Sequence, residues 1–581
     1  MPTLEWIGKE KVINHHQEVP FRVLERQFSF DENGQTEADN GSGNKIIHGD
    51  NLEALKALLP EYEGRVKCIY IDPPYNTGNE GWVYNDSVSD PKIKKWLNQV
   101  VGKEGEDLSR HDKWLCMMYP RLKLLQKLLA DDGAIFISID DTEEANLRLV
   151  CDEIFGANCF VSNISWQRTY STRNDSKGIV NEVEHIIAYS KSPGWNPNKL
   201  PRTEAMNSKY KNPDNDTTMW RTDNAFAPGA TTHQGMVYAI QHPFTGEMLY
   251  PSNGRCWTFG QDQMLEIMRG WCGYELRDIN DAKERSIVCG VSENDVRRDV
   301  KAIVLSQSLE ESTAMAKAVY KRGQWPRFFF TKGGNGGIAR KTYLENVGGK
   351  LPTNFWPYKE TGHTDEAKKE LLAIFGGKAT FDTPKPSRLV EFILKIAGNK
   401  DALILDSFAG SGTTAHAVLN MNRQDGGNRK FILVEMEDYA DSITAERVRR
   451  VIKGYGDTPG TGGGFSYYEL GAPLFLEDGS LDEEVGAEKL REYVWYMETR
   501  RACQKQDGED NKYLLGVNNG AAYYFYYEKD RETTLDHEFL ASIRTKAEGY
   551  VIFADACVLS QDELNRLSIV FKKIPRDIAR L

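Results

Sequence analysis

The chain has 581 residues, which predicts three or four domains at about 150 residues each. Hydrophobic residues make up 40% and charged residues 27%, a globular composition that excludes a collagen-like or wholly disordered chain. The formal net charge is −12, no apolar run reaches the roughly 18 residues of a membrane-spanning helix, and the first residues lack the apolar core of a secretory signal, so we expect a cytoplasmic protein with no membrane partner.

Residues 1–44 are predicted to form an N-terminal extension that ends in a polar loop. From Lys45 onward, buried strands alternate with amphipathic helices, which predicts a doubly wound α/β sheet covered on both faces. The predicted strands are KIIHGD (45–50), RVKCIYID (65–72), GAIFISID (133–140) and EVEHIIAYSK (182–191), and the predicted helices are NLEALKALLPEY (51–62), WLCMMYPRLKLLQKLLADD (114–132) and EANLRLVCDEIFG (144–156).

The alternation stops for a long stretch and then resumes, which predicts one α/β domain in two halves, 45–190 and 379–455, around an inserted domain at 191–378. Residues 456–470 are predicted to be a linker, and residues 471–581 a small α+β accessory domain whose segment 513–528 forms a hairpin. The resumed elements are the helix PSRLVEFILKIA (386–397), the strand DALILD (401–406), the helix GSGTTAHAVLNMN (410–422), the strand KFILVEME (430–437) and the helix TAERVRRVIKGY (444–455).

A glycine turn lies between the strand that ends at Asp406 and the following helix, in the segment Asp406-Ser-Phe-Ala-Gly410-Ser-Gly412. Its glycines allow a nucleotide-like ligand to approach backbone amides at a helix N-terminus. The turn lacks the Gly-Lys-Ser/Thr ending of a P-loop and the third glycine of the dinucleotide fingerprint, which disfavours a triphosphate or NAD. Glu435 ends the next strand, where an acid can accept hydrogen bonds from both ribose hydroxyls; the alternative is a surface acid.

A second constellation, Asp72-Pro73-Pro74-Tyr75, follows the buried strand RVKCIYI directly. The two prolines end strand pairing and stiffen the turn, so Asp72 is held at the strand tip near an aromatic ring. A rigid acceptor beside an aromatic face suits a planar ring that carries an amino group. The alternative is a Pro-Pro strand exit with a packed tyrosine. We expect this tip and the glycine turn to lie on neighbouring strands, although they are more than three hundred positions apart.

Together the two motifs resemble those of the β-class amino-group DNA methyltransferases, in which Asp-Pro-Pro-Tyr is the catalytic motif and Phe-x-Gly-x-Gly the cofactor motif. The catalytic motif comes first in this chain, as in the permuted β order. The resemblance covers about residues 45–190 and 380–455 and is closest to the modification subunits of type III restriction–modification systems. The further matching segments are Gly49-Asp50-Asn51, Tyr119-Pro-Arg-Leu122, Asp132-Gly133, Ser138-Ile139-Asp140 and Thr383-Pro-Lys385-Pro-Ser387.

The resemblance implies a site-specific DNA methyltransferase with a Rossmann-like doubly wound fold and S-adenosylmethionine as cofactor. Asp at position 72 points, by family association, to adenine N6 as the target of a base rotated out of the helix. The implied catalytic residues are Asp72, Pro73, Pro74 and Tyr75. The implied cofactor-binding residues are Asp50, Asn51, Lys385, Ser387, Asp406, Phe408, Gly410, Ser411, Gly412, Thr413 and Glu435.

Three alternatives stay open at this point. The enzyme could methylate cytosine N4, because cytosine also carries an exocyclic amine. The chain could be a DNA-binding specificity subunit whose methylation is dispensable, although intact Asp72, Tyr75, Gly410 and Gly412 argue against that. RNA could replace DNA as the substrate, since the inserted domain offers no motif that decides between them.

The middle of the chain is locally basic: residues 191–350 hold 22 Lys and Arg against 17 Asp and Glu, whereas residues 471–581 hold 15 against 21. Because phosphate binding depends on the local field, the inserted domain is the part predicted to face double-stranded DNA. The segment RFFF (327–330) is more typical of a core strand, and TAERVRRVIKGY of a solvated helix face. The candidate DNA contacts are Asn76, Thr77, Arg168, Arg173, Lys177, Arg297, Arg298, Lys321, Arg322 and Arg327.

The resemblance also implies partners: a second copy of the chain and a separate helicase–nuclease (Res-type) subunit. The sequence has no Walker A motif, so any ATP-driven or cleaving activity is expected in another polypeptide. The acidic tail is predicted to contact protein. No metal is predicted, because the nine cysteines are scattered without a C-x-x-C pair and the histidines lack metal-ligand spacing. Structural or hydrogen-bonding roles are expected instead for His48, His111, His185 and His416; His416 could touch the cofactor, but packing is favoured.

Overall fold

The computed structural model describes residues 4–77, 110–171, 179–476, 478–501 and 512–575. The chain divides into a smaller compact unit, Lys199–Leu351, and a larger one formed by Met1–Asn198 and Pro352–Leu581. No helix within those described ranges is both long and apolar enough to cross a membrane.

An eleven-stranded mixed sheet, counted over the described residues, forms the centre of the larger unit. Its buried strands carry the continuous apolar runs that are typical of parallel strands covered on both faces. In chain order the strands are β1 (Arg22–Asp31), β2 (Gly34–Thr36), β3 (Lys45–His48), β4 (Val66–Ile71), β5 (Leu129–Ile139), β6 (Phe160–Gln167), β7 (Val183–Ser190), β8 (Phe355–Trp356), β9 (Leu403–Asp406), β10 (Lys430–Glu435) and β11 (Gly464–Pro473).

The strand order is β8-β6-β7-β5-β4-β9-β10-β3-β11-β1-β2. The six strands from β5 to β11 in this order are parallel, whereas β7 runs antiparallel to both of its neighbours and β1 runs antiparallel to β11. From β4 the chain continues to β5 on one side, and from β9 it continues to β10 on the other. The sheet therefore has a topological switch point between β4 and β9, where ligands of open α/β sheets bind.

Among the described residues, seven helices of eight or more residues lie between residues 51 and 453 of the larger unit. Every helix and strand predicted between residues 45–190 and 379–455 is present, so the predicted doubly wound α/β fold is confirmed. The helices are α1 (Asn51–Tyr62), α2 (Arg110–Leu128), α3 (Glu144–Phe155), α4 (Thr364–Ile374), α5 (Ser387–Ala397), α6 (Thr413–Asp425) and α7 (Glu446–Lys453).

Two long strands near one edge of the sheet lie where we expected an extension and a linker. Strand β1 falls within residues 1–44, and most of β11 falls within residues 456–470. They pair with each other, and Phe28 stacks on Tyr467 with ring centroids 5.0 Å apart. Aromatic cross-strand pairs of this kind stabilise antiparallel strands. These segments therefore extend the sheet, which the polar loops around them concealed in the sequence.

The smaller unit has an aromatic core around a four-stranded and a three-stranded sheet within Lys199–Leu351. Its limits lie inside the predicted 191–378, because α4 (Thr364–Ile374) belongs to the larger unit. The segment Phe328–Phe330 is a buried strand, so its predicted core role is confirmed. The sheet strands are Ile240–Gln241, Met248–Leu249, Tyr274–Arg277, Ala302–Leu305, Trp220–Asn224, Phe328–Phe330 and Ile338–Tyr343; Phe226–Pro228 and Arg255–Trp257 pair separately, and the longer helices are Gln261–Arg269, Ala282–Cys289 and Leu309–Arg322.

The C-terminal part of the larger unit contains its own four-stranded sheet. The predicted hairpin is confirmed, since Leu514–Asn518 pairs antiparallel with Ala521–Phe525. A mixed aromatic and aliphatic core fills one side of this sheet. The other two strands are Gly549–Ala554 and Ile569–Lys573, and the helices are Ala487–Thr499, His537–Ser542 and Gln561–Arg566.

Candidate active site

The two predicted motifs lie at the carboxyl ends of adjacent parallel strands. Strand β4 pairs with β9 in a register that places Cys68 beside Ile404 and Ile69 beside Leu405. Asp72 follows β4 directly, and Asp406 is the last residue of β9. The expected convergence of the two stretches is therefore confirmed at the level of the strands that carry them.

A lysine from the segment before α5 binds the Asp72 carboxylate. Lys385 Nζ lies 2.8 Å from Asp72 Oδ1, 2.7 Å from Oδ2 and 2.9 Å from the Tyr75 hydroxyl, so all three of its N–H donors are used. Burial raises the pKa of Asp72, and the Lys385 ammonium opposes that rise. Asp72 and Glu184 together raise the pKa of Lys385 against the effect of burial, so we read the pair as charged.

Tyr75 is nearly buried, and its hydroxyl lies between two carboxylates: 2.9 Å from Asp72 Oδ1 and 3.2 Å from Glu184 Oε2. The Arg168 guanidinium donates to the other oxygen of Glu184 at 2.8 Å. Glu184 and its link to Tyr75 were not predicted as functional. The only sequence signal was an acid near the start of a strand that is otherwise apolar, in EVEHIIAYSK.

The turn after Asp72 is held by side chains from two helices. The Trp114 indole N–H donates to the Pro74 carbonyl at 2.7 Å, which was also not predicted. Asn76 has a left-handed backbone (φ 60) and a buried side chain that donates to Glu143 Oε1 at 2.5 Å. The structure thus engages Asn76, a candidate DNA contact, in fixing the loop.

The glycine turn has the backbone that its sequence predicted. Gly410 and Gly412 have positive φ angles of 53° and 80°. The Gly410 N–H donates to Glu435 Oε2 at 2.7 Å, and the Thr444 hydroxyl donates to the Gly410 carbonyl at 2.6 Å. A Cβ atom added at Gly412 would lie 2.9 Å from the Thr444 carbonyl oxygen. The turn is therefore closed from behind by residues 435 and 444, and only glycine fits at position 412.

Asp406 anchors this turn with both of its carboxylate oxygens. The Phe408 backbone N–H donates to Oδ1 at 3.0 Å, and the Thr414 hydroxyl donates to Oδ2 at 2.6 Å. Burial raises the pKa of Asp406 to about 7, the hydrogen bonds lower it, and the charge of Asp72 raises it further. The carboxyl group at this strand tip consequently titrates near neutral pH.

A buried arginine on α7 organises the hydroxyl groups predicted to bind cofactor. Arg447 is fully buried, so our expectation of a solvated face is wrong at this position. Its guanidinium donates to Ser411 Oγ at 3.0 Å, to Thr413 Oγ1 at 2.8 Å and to Glu370 Oε2 at 3.1 Å. Ser387 Oγ donates to the other Glu370 oxygen at 2.5 Å. These three hydroxyls serve the scaffold of the turn.

The segment Gly49-Asp50-Asn51 reaches the same turn from β3. Asp50 caps α1 by accepting from the Leu52 N–H at 2.7 Å, and the Asn51 amide donates to the Ser407 carbonyl at 3.0 Å. The buried Arg121 guanidinium donates to Asn51 Oδ1 at 2.5 Å. Asn51 thus ties the predicted adenine-side segment to the glycine turn.

The residues around the turn fit S-adenosylmethionine. Within the described part of the chain, the Ser407 hydroxyl is buried without a hydrogen-bond partner, as expected where a polar ligand completes the bonding. The acids Asp406, Glu435 and Asp50 suit the positive charge and hydroxyl groups of that cofactor.

The other candidate DNA contacts belong to three groups: residues of the larger unit, residues of the smaller unit, and two residues that the structure does not describe. Arg168 pairs with Glu184, and Thr77 is half-buried. Arg173 and Lys177 lie outside the described residues. In the smaller unit, the Arg297 guanidinium donates two hydrogen bonds to the Asp299 carboxylate. The exposed candidates of that unit are Arg297, Arg298, Lys321, Arg322 and Arg327.

The four histidines near the motifs have hydrogen-bond partners: His48 contacts Glu469, His111 contacts Glu143, His185 contacts Asp141, and His416, which is buried, contacts Arg447. Burial lowers the pKa of His416 to about 4, with Arg447 adding to the effect. Among the residues described, no three potential ligands cluster as a metal site would require.

Comparison with known proteins places these motifs in one family. The DNA methylase family model matches residues 66–446. The type III restriction-modification enzyme StyLTI Mod subunit of Salmonella typhimurium is 33% identical over 469 residues, which cover 75% of this chain and 62% of that protein. The EcoPI Mod subunit of Escherichia phage P1 is 28% identical, covering 78% and 68%. The type II methyltransferase M.KpnI of Klebsiella pneumoniae is 30% identical, covering 70% and 84%. This chain thus spans less than two thirds of the StyLTI relative.

Proposed function

This chain belongs to the DNA methylase family, and from that premise we propose that it transfers a methyl group to the exocyclic N6 of adenine in double-stranded DNA. S-adenosylmethionine is the methyl donor. The chain acts as the modification component of a restriction–modification system, the role that the names of the type III relatives give for those proteins. We also propose that it works in the cytoplasm.

One observation carries this proposal: the Asp72 tip and the Gly410 turn follow adjacent parallel strands. Lys385, from the segment before α5, binds the Asp72 carboxylate. The adjacency puts a hydrogen-bond acceptor for an amino group next to a turn suited to a nucleoside-like cofactor. Neither motif alone would place both ligands in one crevice.

The residues of the chain have defined tasks in this reaction. A base inside a duplex cannot reach the strand tip, so it must be rotated out at a cost of a few kcal/mol. The Tyr75 ring replaces part of the lost stacking, and Asp72 accepts one amino N–H. The backbone carbonyl of Pro73 or Pro74 accepts the second, and the Trp114 indole, which donates to the Pro74 carbonyl, stiffens this turn. When bound, S-adenosylmethionine supplies an activated methyl group. The protein therefore contributes the alignment of the reacting groups and an electrostatic field, and no strong base is needed.

The residues proposed to hold the cofactor are Asp50, Asn51, Glu435 and, in the turn, Asp406, Phe408, Gly410 and Gly412. The structure supports an indirect role for Ser387, Ser411 and Thr413, whose hydroxyls bond to Arg447 and Glu370. We propose that Lys385 contributes mainly through Asp72, since its three donors point to Asp72 and Tyr75.

We assign recognition of the DNA sequence to the inserted domain. This domain was predicted at 191–378, and its compact unit in the structure is Lys199–Leu351. Its exposed basic side chains suit phosphates. The proposed partners are a second copy of the chain and a helicase–nuclease subunit, and the acidic 471–581 segment is proposed as an accessory domain that contacts protein.

The test is methyl transfer by Asp72→Ala, with tritiated S-adenosylmethionine and unmethylated genomic DNA. We expect the transfer rate to fall by at least about a hundredfold, because the acceptor at the reacting nitrogen is lost, while cofactor affinity changes little. Asp132→Ala is the matched control, because that carboxylate is exposed and pairs with Lys67. Near-normal transfer by Asp72→Ala would refute the assignment.

Mass analysis of the methylated nucleosides then distinguishes the target. N6-methyl-2′-deoxyadenosine supports the proposal, and N4-methyl-2′-deoxycytidine would support the cytosine alternative. Transfer to RNA but not DNA would exclude both. Binding of DNA without any transfer would favour a specificity subunit.

A further inference from the structure

A charged cluster that the proposed reaction does not yet use surrounds the candidate acceptor. Lys385 Nζ contacts both oxygens of Asp72 and lies 3.7 Å from Glu184 Oε2. The Tyr75 hydroxyl lies within hydrogen-bond distance of both carboxylates, and Arg168 binds the far oxygen of Glu184. Two acids and two bases therefore form one neutral chain of contacts that ends at the strand tip.

The inner members of this cluster are shielded from water. The side chains of Lys385, Glu184 and Asp72 are 8%, 9% and 16% exposed, whereas that of Arg168 is 41% exposed. Charges that are shielded in this way interact much more strongly than exposed pairs. The ionisation of Asp72 is consequently sensitive to the charge of each neighbour.

Resting on the function proposed above, we propose that Lys385 and Glu184 are opposed positioning residues that set the charge of Asp72. Lys385 holds the carboxylate ionised. Glu184 holds the Lys385 ammonium and the Tyr75 hydroxyl from the opposite side, and its own negative charge works against the ionisation of Asp72.

The chemistry of the acceptor explains why this matters. An ionised carboxylate offers only acceptor positions to an amino group, whereas a protonated one presents an O–H donor to N–H donors. Lys385 lowers the pKa of Asp72, and Glu184 raises it, both against a background of burial that raises it. The two neighbours therefore push the same group in opposite directions.

Within the described ranges, further titratable groups that interact with this cluster come from neighbouring strands. Asp406 interacts with Asp72, and Tyr70 interacts with Asp72 and Glu184. Asp140, at the end of β5, interacts with Glu184. These groups are unchanged in the variants below, so differences between the variants report on the Lys385 and Glu184 side chains.

The first measurement is the single-turnover rate of methyl transfer to DNA from pH 5 to pH 9. In Lys385→Met we expect the acidic limb of the profile to move to higher pH by at least one unit, which is about a tenfold loss of rate on that limb. In Glu184→Gln we expect the limb to move to lower pH. Lys385→Arg, which keeps the charge, should stay near the wild-type profile. Limbs that stay in place, or that move in the same direction, would overturn the inference.

The second measurement needs neither DNA nor cofactor, so it also covers variants that lose activity. Melting temperatures are compared for Lys385→Met, Asp72→Asn and the double variant. We expect Asp72→Asn to recover part of the stability that Lys385→Met loses, because it removes the buried carboxylate left without its partner. Additive effects would overturn the inference.

The two measurements separate this inference from the proposed function. If the wild-type chain transfers no methyl group to DNA, the proposed function fails. The melting temperatures of the two single variants and the double variant (the melting cycle) then decide alone whether Lys385 and Asp72 are coupled. If the wild type is active and the cycle shows coupling while the pH limbs do not move, Lys385 is a structural residue and the inference is overturned.

Discussion

The pH dependence of stability should reveal the buried carboxyl group of Asp406. Burial raises its pKa from an ordinary 3.8 to about 7. The same side chain in the unfolded protein titrates near about 3.9. Between these two values, the folded protein keeps a proton that the unfolded chain releases, so the free energy of unfolding falls as pH rises through this window.

The size of the effect follows from that shift. It is about three pKa units, and each unit corresponds to about 1.4 kcal/mol, so ionisation of Asp406 costs the folded protein about 4 kcal/mol once the pH exceeds 7. Asp406→Asn keeps the shape and still accepts a hydrogen bond from the Phe408 N–H, but it carries no charge. Between pH 5 and pH 7, the variant should therefore gain about 2–3 kcal/mol of stability relative to the wild type.

Urea unfolding of both proteins at pH 5, 6, 7 and 8, followed by circular dichroism, measures this gain. Asp425→Asn is the control, because its hydrogen bonds with Arg429 lower the pKa of Asp425 to about 2. Both its folded and unfolded values lie below pH 5, so its difference from the wild type should be constant over this range. A constant difference for Asp406→Asn as well would refute the reasoning.

Two further predictions concern packing. Lys341→Met should destabilise the smaller unit by about 3–5 kcal/mol in urea unfolding followed by tryptophan fluorescence. The reason is that Lys341 is fully buried 2.5 Å from Asp214, so its removal takes the charged partner from that buried carboxylate. A loss under about 1 kcal/mol would contradict this. Gly412→Ala should weaken cofactor binding at least about tenfold in calorimetry, because the new Cβ meets the Thr444 carbonyl. Gly426→Ala is the control, since that glycine also has a positive φ but open space around it, and it should change the affinity less than about twofold. Equal effects of the two substitutions would contradict this.

The catalytic half of the fold could be predicted because its signals are local. Each strand of the parallel sheet is a short apolar run, and each motif follows such a run directly, so the sequence alone places Asp72 and Gly410 at strand ends. Carboxyl ends of parallel strands meet at one edge of the sheet, which is why the two motifs were expected together. That β4 and β9 are adjacent in the sheet is seen only in the structure, because apolar periodicity does not give the order of strands.

The partners of the buried charges could not be predicted, because they depend on side chains from distant segments. In TAERVRR nothing distinguishes Arg447 from Arg449 or Arg450, yet only Arg447 is fully buried among these three. It is tolerated there because Glu370 and the hydroxyls of the glycine turn supply hydrogen bonds. Glu184 is similar: its role depends on Arg168 and Lys385, which lie 16 and 201 positions away.

The carboxyl groups of Asp72 and Asp406, at the adjacent strand tips, differ in how the protein stabilises their negative charge. Lys385 neutralises Asp72, whereas Asp406 has hydrogen bonds from neutral donors, and the charge of Asp72 raises its pKa further. Asp406 therefore holds a proton in part of the molecules at neutral pH. A cation bound at the glycine turn would favour release of that proton, and by linkage the ionised carboxylate would strengthen the binding of the cation. The structure thus places an ion-paired carboxylate at one strand tip and, at the other, a carboxylate whose negative charge becomes fully available when a cation binds.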